Sequence, residues 1–425
     1  MNILWVVNIP LPEASQLMKE PSLPYGGWLV SASKKLSEQE DVKLSILFPF
    51  KGHAKFDKLQ GEKITYYACS DKYFKKRSSD QQSILDILLN EINPDLVHIF
   101  GTELPHSSEV VNCCNKLGIK FVISIQGLVS VIAKHINADL PLQVIYGFTL
   151  RNLLLRDSVN GLKRIFYKRG KLEVNAIQNS KYIIGRTEWD KACTKQINPT
   201  IEYFKCNETL RESFYSHKWS IDAIERNSIF LSQAQYSLKG LHKVLDALPI
   251  ILAQYPDTKV YVSGKDIFSS NTLKDKFLRT YYAKFINKKI NKLNLNDNVI
   301  FIGSLDEKAM CERYLKSHVF ICPSSLENSP NSLGEAMLLG VPSIASYVGG
   351  TPDLLTHNVE GYLYHFDAEY MIAHYVLSIF SNDDNAKRLS NNAREKAAVT
   401  HNAWINQQNL NSIYQEISES VSDYI

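Results

Sequence analysis

Short apolar runs alternate with longer helical patterns along most of this chain, which is the mark of repeated strand–helix–strand units and parallel sheets. Residues 3–7, 43–48, 121–125 and 182–184 and the run Leu96–Phe100 read as strands, with 28–36 as the helix after the first. A second series opens at Ser228–Leu231. It continues through the helix Leu241–Leu252, strands at 260–262, 299–302 and Val319–Cys322, the helix Asn331–Leu339 and a strand at 343–345. Two such series in 425 residues exceed one ordinary domain. The expected division is an amino-terminal domain over 1–205, a polar connection over 206–227 and a carboxyl-terminal domain over 228–402. A final helix, within a tail at about 403–425, is a candidate to cross back onto the first domain. A lysine-rich insert at 272–293 reads as a solvated helical excursion. Ligands of open parallel sheets sit beyond the carboxyl ends of the strands, so the chemistry is expected in a cleft between the two domains.

Composition narrows the class. Hydrophobic residues make up 44% and charged residues 22%, the profile of a soluble globular chain. A net charge of +4 is too mild for a nucleic-acid partner. The seven cysteines are scattered, odd in number and without a C-x-x-C pair. That argues against a disulfide framework and a structural zinc site, and for a reducing cytoplasm. The amino terminus lacks the basic start and cleavage site of a signal peptide. No stretch approaches the roughly 20 apolar residues that span a bilayer.

The most informative stretch runs from Cys322 to Met337, following one strand and opening the next helix. Its loop presents unpaired N–H groups at a positive helix end, which suits a diphosphate and calls for no metal. Pro330 stands near the helix start, where its missing donor costs little. Ser329, Asn331 and Ser332 add side-chain donors. Glu327 precedes the helix and Glu335 lies inside it, each able to accept from paired hydroxyls of a ribose or hexose. The plainer alternative is that Ser329 or Asn331 caps the helix and both glutamates are solvated.

The E-x7-E spacing from Glu327 to Glu335 resembles the signature of the retaining glycosyltransferases of family 4. The surrounding text agrees: the strand at 317–324, Gly340-Val341-Pro342, the turn Val348-Gly349-Gly350-Thr351 and the strand at 298–303. The resemblance covers about 228–400 well and the first domain more weakly. It implies the GT-B fold, two Rossmann-like α/β domains facing each other across a cleft, and a nucleotide-sugar donor with no separate cofactor. It further implies that Glu335 binds the donor ribose, that Glu327 lies near the donor sugar and that the loop amides hold the diphosphate. Gly26 and Gly27 stand where the family has a glycine loop that closes on the phosphates; by themselves they would read as an ordinary turn. Lys239 matches a lysine directed at the diphosphate.

Two departures stand out. The family's arginine beside that lysine is replaced in the region of Gln233, with Arg186 and Arg211 as candidates to supply the lost charge. A histidine after the strand at 121–125 is replaced by Gln126-Gly127, with His135 further on. The glutamine can bond a sugar hydroxyl and cannot act as a base. The resemblance implies that none is needed, since the leaving phosphate oxygen takes the acceptor proton on the same face. The segments 185–190 and 206–211 resemble those of bacterial surface-polysaccharide transferases, or form a buried salt-bridge network.

The resemblance points to a cytoplasmic hexosyltransferase that uses a UDP- or GDP-sugar and a glycan or lipid-linked acceptor in surface polysaccharide or lipopolysaccharide assembly. A stripe of Leu155, Val159, Leu162 and Phe166, flanked by Arg156, Lys163, Arg164, Lys168, Arg169 and Lys171, reads either as a peripheral membrane contact or as core contact with a basic outer face. A sugar-nucleotide epimerase and a non-catalytic sugar-nucleotide-binding partner are the rival readings. A nicotinamide dehydrogenase is disfavoured, because no G-x-G-x-x-G follows the first strand.

Overall fold

The computed structural model describes residues 1–21, 26–50, 56–70, 79–264 and 279–420, and the chain divides into two compact α/β units. The first comprises Met1–Val131, Phe166–Leu210 and His401–Ile425, and the second Ile132–Ile165 and Arg211–Thr400.

The first unit carries strands β1 (Asn2–Val6), β2 (Lys43–Phe50), β3 (Phe56–Gln60), β4 (Ile64–Ser70), β5 (Leu96–Phe100), β6 (Phe121–Ser124), β7 (Tyr182–Gly185) and β8 (Glu202–Lys205). They form one sheet in the order β3-β4-β2-β1-β5-β6-β7-β8, parallel throughout except for β3, which runs antiparallel to β4 at the edge. Ile3, Leu4, Trp5 and Val6 are all at most 1% exposed. Their unbroken apolar run is what a central parallel strand covered on both faces requires. The helix Ala403–Glu419 packs within this unit through Leu410, Ile413, Tyr414 and Ile417. Trp5 Nε1 donates to the Tyr414 hydroxyl (3.0 Å), which also meets His98 Nδ1 at 2.5 Å. His98 Nε2 meets Ser124 Oγ at 2.6 Å. Burial pushes the His98 pKa down to about 3, so the ring stays neutral inside this network.

The second unit carries β9 (Ser228–Leu231), β10 (Lys259–Ser263), β11 (Val299–Gly303), β12 (Val319–Cys322), β13 (Ser343–Ser346) and β14 (Tyr362–Tyr364), all parallel, in the order β11-β10-β9-β12-β13-β14. The order reverses between β9 and β12, which makes their carboxyl ends the switch point where open sheets hold ligands.

Several boundaries differ from the expected ones. Residues 132–165, assigned from the sequence to the first domain, pack in the second unit. Ser325 Oγ donates to His135 O (2.9 Å), Ser237 Oγ to Ile136 O (2.5 Å) and His242 Nε2 to Ala138 O (2.7 Å). The 206–227 connection is not a free polar linker. Phe214, Trp219 and Ile221 are buried, and Trp219 donates from its backbone to Leu339 O and from its ring to Ser317 O. Of the 272–293 insert, 272–278 lie outside the described residues. The rest forms the helix Tyr281–Lys292, which is not wholly solvated, since Tyr282, Ala283, Ile286 and Ile290 bury one face. The Val159 stripe also differs: Val159 is buried and Leu162 and Phe166 half-buried, so it is mainly packing, and only Leu155 stays exposed. The apolar exposure lies instead on Leu142, Tyr146, Phe148, Leu150, Leu154 and Leu155, each 59–82% exposed.

Candidate functional site

Three loops meet at the carboxyl ends of β9, β12 and β13, and backbone contacts fix them to one another. Ser325 N donates to Leu238 O (2.8 Å), and Gly350 N donates to Glu327 O (3.0 Å). Gly240 takes φ +68°, and a Cβ there would sit 1.7 Å from Pro323 O. Gly349 takes φ +51°, and a Cβ there would sit 2.0 Å from Glu327 O. Only glycine allows both the left-handed backbone and that approach. The strand-to-helix loop is thereby held before any ligand arrives.

Lys239 and Glu327 sit at this junction. Lys239 Nζ lies 2.6 Å from Glu327 Oε1, and Ser324 Oγ donates to the same oxygen at 2.6 Å. The side chains are 18% and 13% exposed, so the pair is largely sheltered from solvent. Burial, the largest single influence, would lower the Lys239 pKa, but the Glu327 charge and hydrogen bond together with Tyr236 and Cys322 outweigh it and hold the ammonium above the ordinary lysine value. The helix Asn331–Leu339 begins four residues after Glu327, with Pro330 at its N-cap making no side-chain capping bond. Pro330, and neither Ser329 nor Asn331, stands at the N-cap position. A helix start of this kind presents its leading N–H groups at the positive end of the helix dipole. Ser329 is buried, while Asn331 and Ser332 are half-buried on the first turn. Gln233 is exposed on the loop after β9.

Glu335, one turn into the helix, is buried and forked by Arg211: Nε meets Oε1 at 2.7 Å and a terminal nitrogen meets Oε2 at 2.8 Å. Burial raises the Glu335 pKa, and the guanidinium opposes it. Of the two arginines considered as substitutes for the missing one, Arg211 is thus committed to Glu335. Arg186 is committed to Glu208 (2.7 Å). Nothing in the sequence order signals the Arg211–Glu335 pairing.

Gly26, Gly27, Gln126 and Arg186 belong to the first unit. Gly26 has φ +82° and precedes the helix Gly27–Ser37 as its N-cap. Gln126 Nε2 donates to Glu208 Oε1 (2.8 Å), and an Arg186 terminal nitrogen donates to Gln126 O (3.3 Å). The 185–190 and 206–211 segments are accordingly joined by an ion-paired network. Trp28, Phe100, Gln126, Arg186, Glu208 and Gln407 line a pocket in this unit. Its aromatic walls and Gln126–Glu208–Arg186 rim were not evident from spacing along the chain. Among the described residues, no group of three His, Cys, Asp or Glu side chains is placed to hold a metal, and no helix is long and apolar enough to cross a membrane.

Two α/β units on parallel sheets, with a strand-to-helix loop at the switch point of the second, have the GT-B fold. The chain superimposes on sucrose-phosphate synthase from Thermosynechococcus elongatus with a TM-score of 0.68, at 15% identity over 98% of both chains. It superimposes equally on HepE of Anabaena, solved with UDP and glucose: TM-score 0.68, 14% identity, 99% of this chain and 100% of that one. Residues 215–396 match the family model described as glycosyl transferases group 1. Spore coat protein SA of Bacillus subtilis is 29% identical over 183 residues, 42% of this chain and 46% of that protein. The chain spans about half the length of the first curated relatives it matches, 46% and 48%.

Proposed function

We propose that the protein is a retaining, metal-independent glycosyltransferase that moves a hexose-type unit from a UDP- or GDP-sugar to a glycan or lipid-linked acceptor. The observation that carries this reading is the Lys239–Glu327 pair beside a helix start with Pro330 at its N-cap, within the residues that match the glycosyl transferases group 1 family model. The diphosphate would rest on the first-turn amides with Ser329, Asn331 and Ser332 around it, and Glu335 would accept from the ribose. Lys239 would offset the charge that grows on the leaving diphosphate. The acceptor oxygen bonds to the anomeric carbon as the carbon–oxygen bond to phosphate breaks. The acceptor proton passes to that phosphate oxygen on the same face, which gives retention without a protein base. Gly26, Gly27, Gln126 and Arg186 are proposed as ligand contacts of the first unit. Incubation with UDP- and GDP-sugars and glycan acceptors, with the product anomer read by NMR, tests this. An α-linked product from an α-linked donor is expected, and an inverted product would overturn the retaining mechanism.

A non-catalytic partner is the second reading, favoured by the commitment of both Arg186 and Arg211 to carboxylates. It predicts nucleotide binding with no transfer to any acceptor.

The setting we propose is surface polysaccharide or lipopolysaccharide assembly in the cytoplasm, with peripheral contact to the membrane. The exposed apolar side chains of 142–155 support that contact. Between 140 and 165 they are accompanied by Arg151, Arg156, Lys163 and Arg164 against Asp157 alone. Co-sedimentation with vesicles containing phosphatidylglycerol is expected to fall at least about threefold in Leu150→Asp/Leu154→Asp. Equal sedimentation of variant and parent would remove the membrane from the account.

A further inference from the structure

The Arg211–Glu335 pair is held more tightly than an incidental salt bridge. Two nitrogens of one guanidinium meet two oxygens of one carboxylate at 2.7 and 2.8 Å, an in-plane fork that a lysine cannot form. The Arg211 guanidinium lies 4.7 Å over the ring of Phe214, which is fully buried and edge-on to Tyr314. Tyr314 donates its hydroxyl to Ser332 O, in the first turn of the helix that carries Glu335 (2.9 Å). Ser213 N and Oγ both donate to Glu307 Oε1, which ties down the turn behind Arg211. The arginine is therefore anchored on its face, from behind and along its edge.

A carboxylate offers two lone-pair sites on each oxygen. The fork takes the inner lone pair of each oxygen and leaves an outer one on each, directed to opposite sides of the carboxylate. An outer lone pair whose direction is fixed suits a hydroxyl presented from that side. We propose that Arg211 is a positioning residue for ribose recognition: it fixes Glu335 in one orientation, so that an outer lone pair of the carboxylate accepts from a ribose hydroxyl of a ribonucleoside diphosphate. The inference rests on the reading of Glu335 as the donor-binding carboxylate. It also accounts for why the arginine that follows the inter-unit crossing is spent on a glutamate instead of the diphosphate.

The test is a calorimetric titration of the full chain, Arg211→Lys and Arg211→Met with UDP, GDP and their 2′-deoxy forms. The parent is expected to bind one ribonucleotide about 10- to 100-fold more tightly than its deoxy form, as a lost hydrogen bond to a charged acceptor implies. In both variants that ratio collapses to within about threefold, while affinity for the deoxy form stays near the parent's, because the loss is confined to the hydroxyl contact. A purely structural arginine would lower both affinities together and leave the ratio intact, and that result overturns the proposal. Arg211→Lys keeps the charge and so keeps the test open if Arg211→Met does not fold. A parent with no ribose preference also overturns it. A parent that binds none of the four nucleotides removes the donor-site reading itself, and this inference with it.

Discussion

Lys239→Met is expected to lower kcat by about 10²- to 10³-fold while weakening nucleotide-diphosphate binding by less than about tenfold, magnitudes typical of losing one preorganised charge at a transition state. The split follows from the ion pair. In the ligand-free site Lys239 already has an anionic partner, Glu327 Oε1 at 2.6 Å. When a diphosphate arrives, the ammonium exchanges one anion for another, so the ground state gains little. Charge then grows on the leaving oxygen, and the full interaction appears only in the transition state. Lys239→Arg retains the charge with a different shape and should recover part of kcat. Steady-state kinetics on both variants check this. An unchanged kcat in Lys239→Met would show that the cation plays no part in the chemistry, and an effect confined to KM would make it a binding group only.

Glu335→Ala is expected to be damaging twice over. It removes the proposed ribose acceptor, and it leaves the Arg211 guanidinium buried without a counter-charge. Breaking one side of a buried pair costs about 3–5 kcal/mol. At 8% and 13% exposure these side chains gain little relief from solvent. For a unit of this size that is a fall in melting temperature on the order of 10 °C. Glu335→Gln keeps the shape and one hydrogen bond to Arg211, so it should melt closer to the parent and still bind nucleotide poorly. Calorimetric melting with nucleotide titration separates the two losses. A Glu335→Ala protein that melts and binds like the parent would contradict both roles.

The strand–loop–helix that carries Glu327 and Glu335 was legible because all its parts are contiguous: an apolar run, a Ser/Pro-rich loop and a helical pattern. Lys239 was legible only through the resemblance of Leu238-Lys239-Gly240-Leu241 to the family's lysine segment. The partners of these residues were not. Arg211 reaches Glu335 across 124 residues and Lys239 reaches Glu327 across 88, and no local periodicity encodes such contacts. Residues 132–165 were misassigned because chain order places them inside the first series. Their attachment to the second unit depends on carbonyl groups of 135, 136 and 138 accepting from Ser325, Ser237 and His242. The edge strand β3 was missed because charged residues break up its apolar pattern, and β14 because three residues give no period to read.

The most direct test of the donor site is a calorimetric titration of the protein with UDP, GDP, ADP and their sugar conjugates, with and without a chelator. The account predicts selective binding to one nucleoside diphosphate, unchanged by the chelator and reduced in Glu335→Ala. Binding to none of them, or binding that the chelator abolishes, would contradict it.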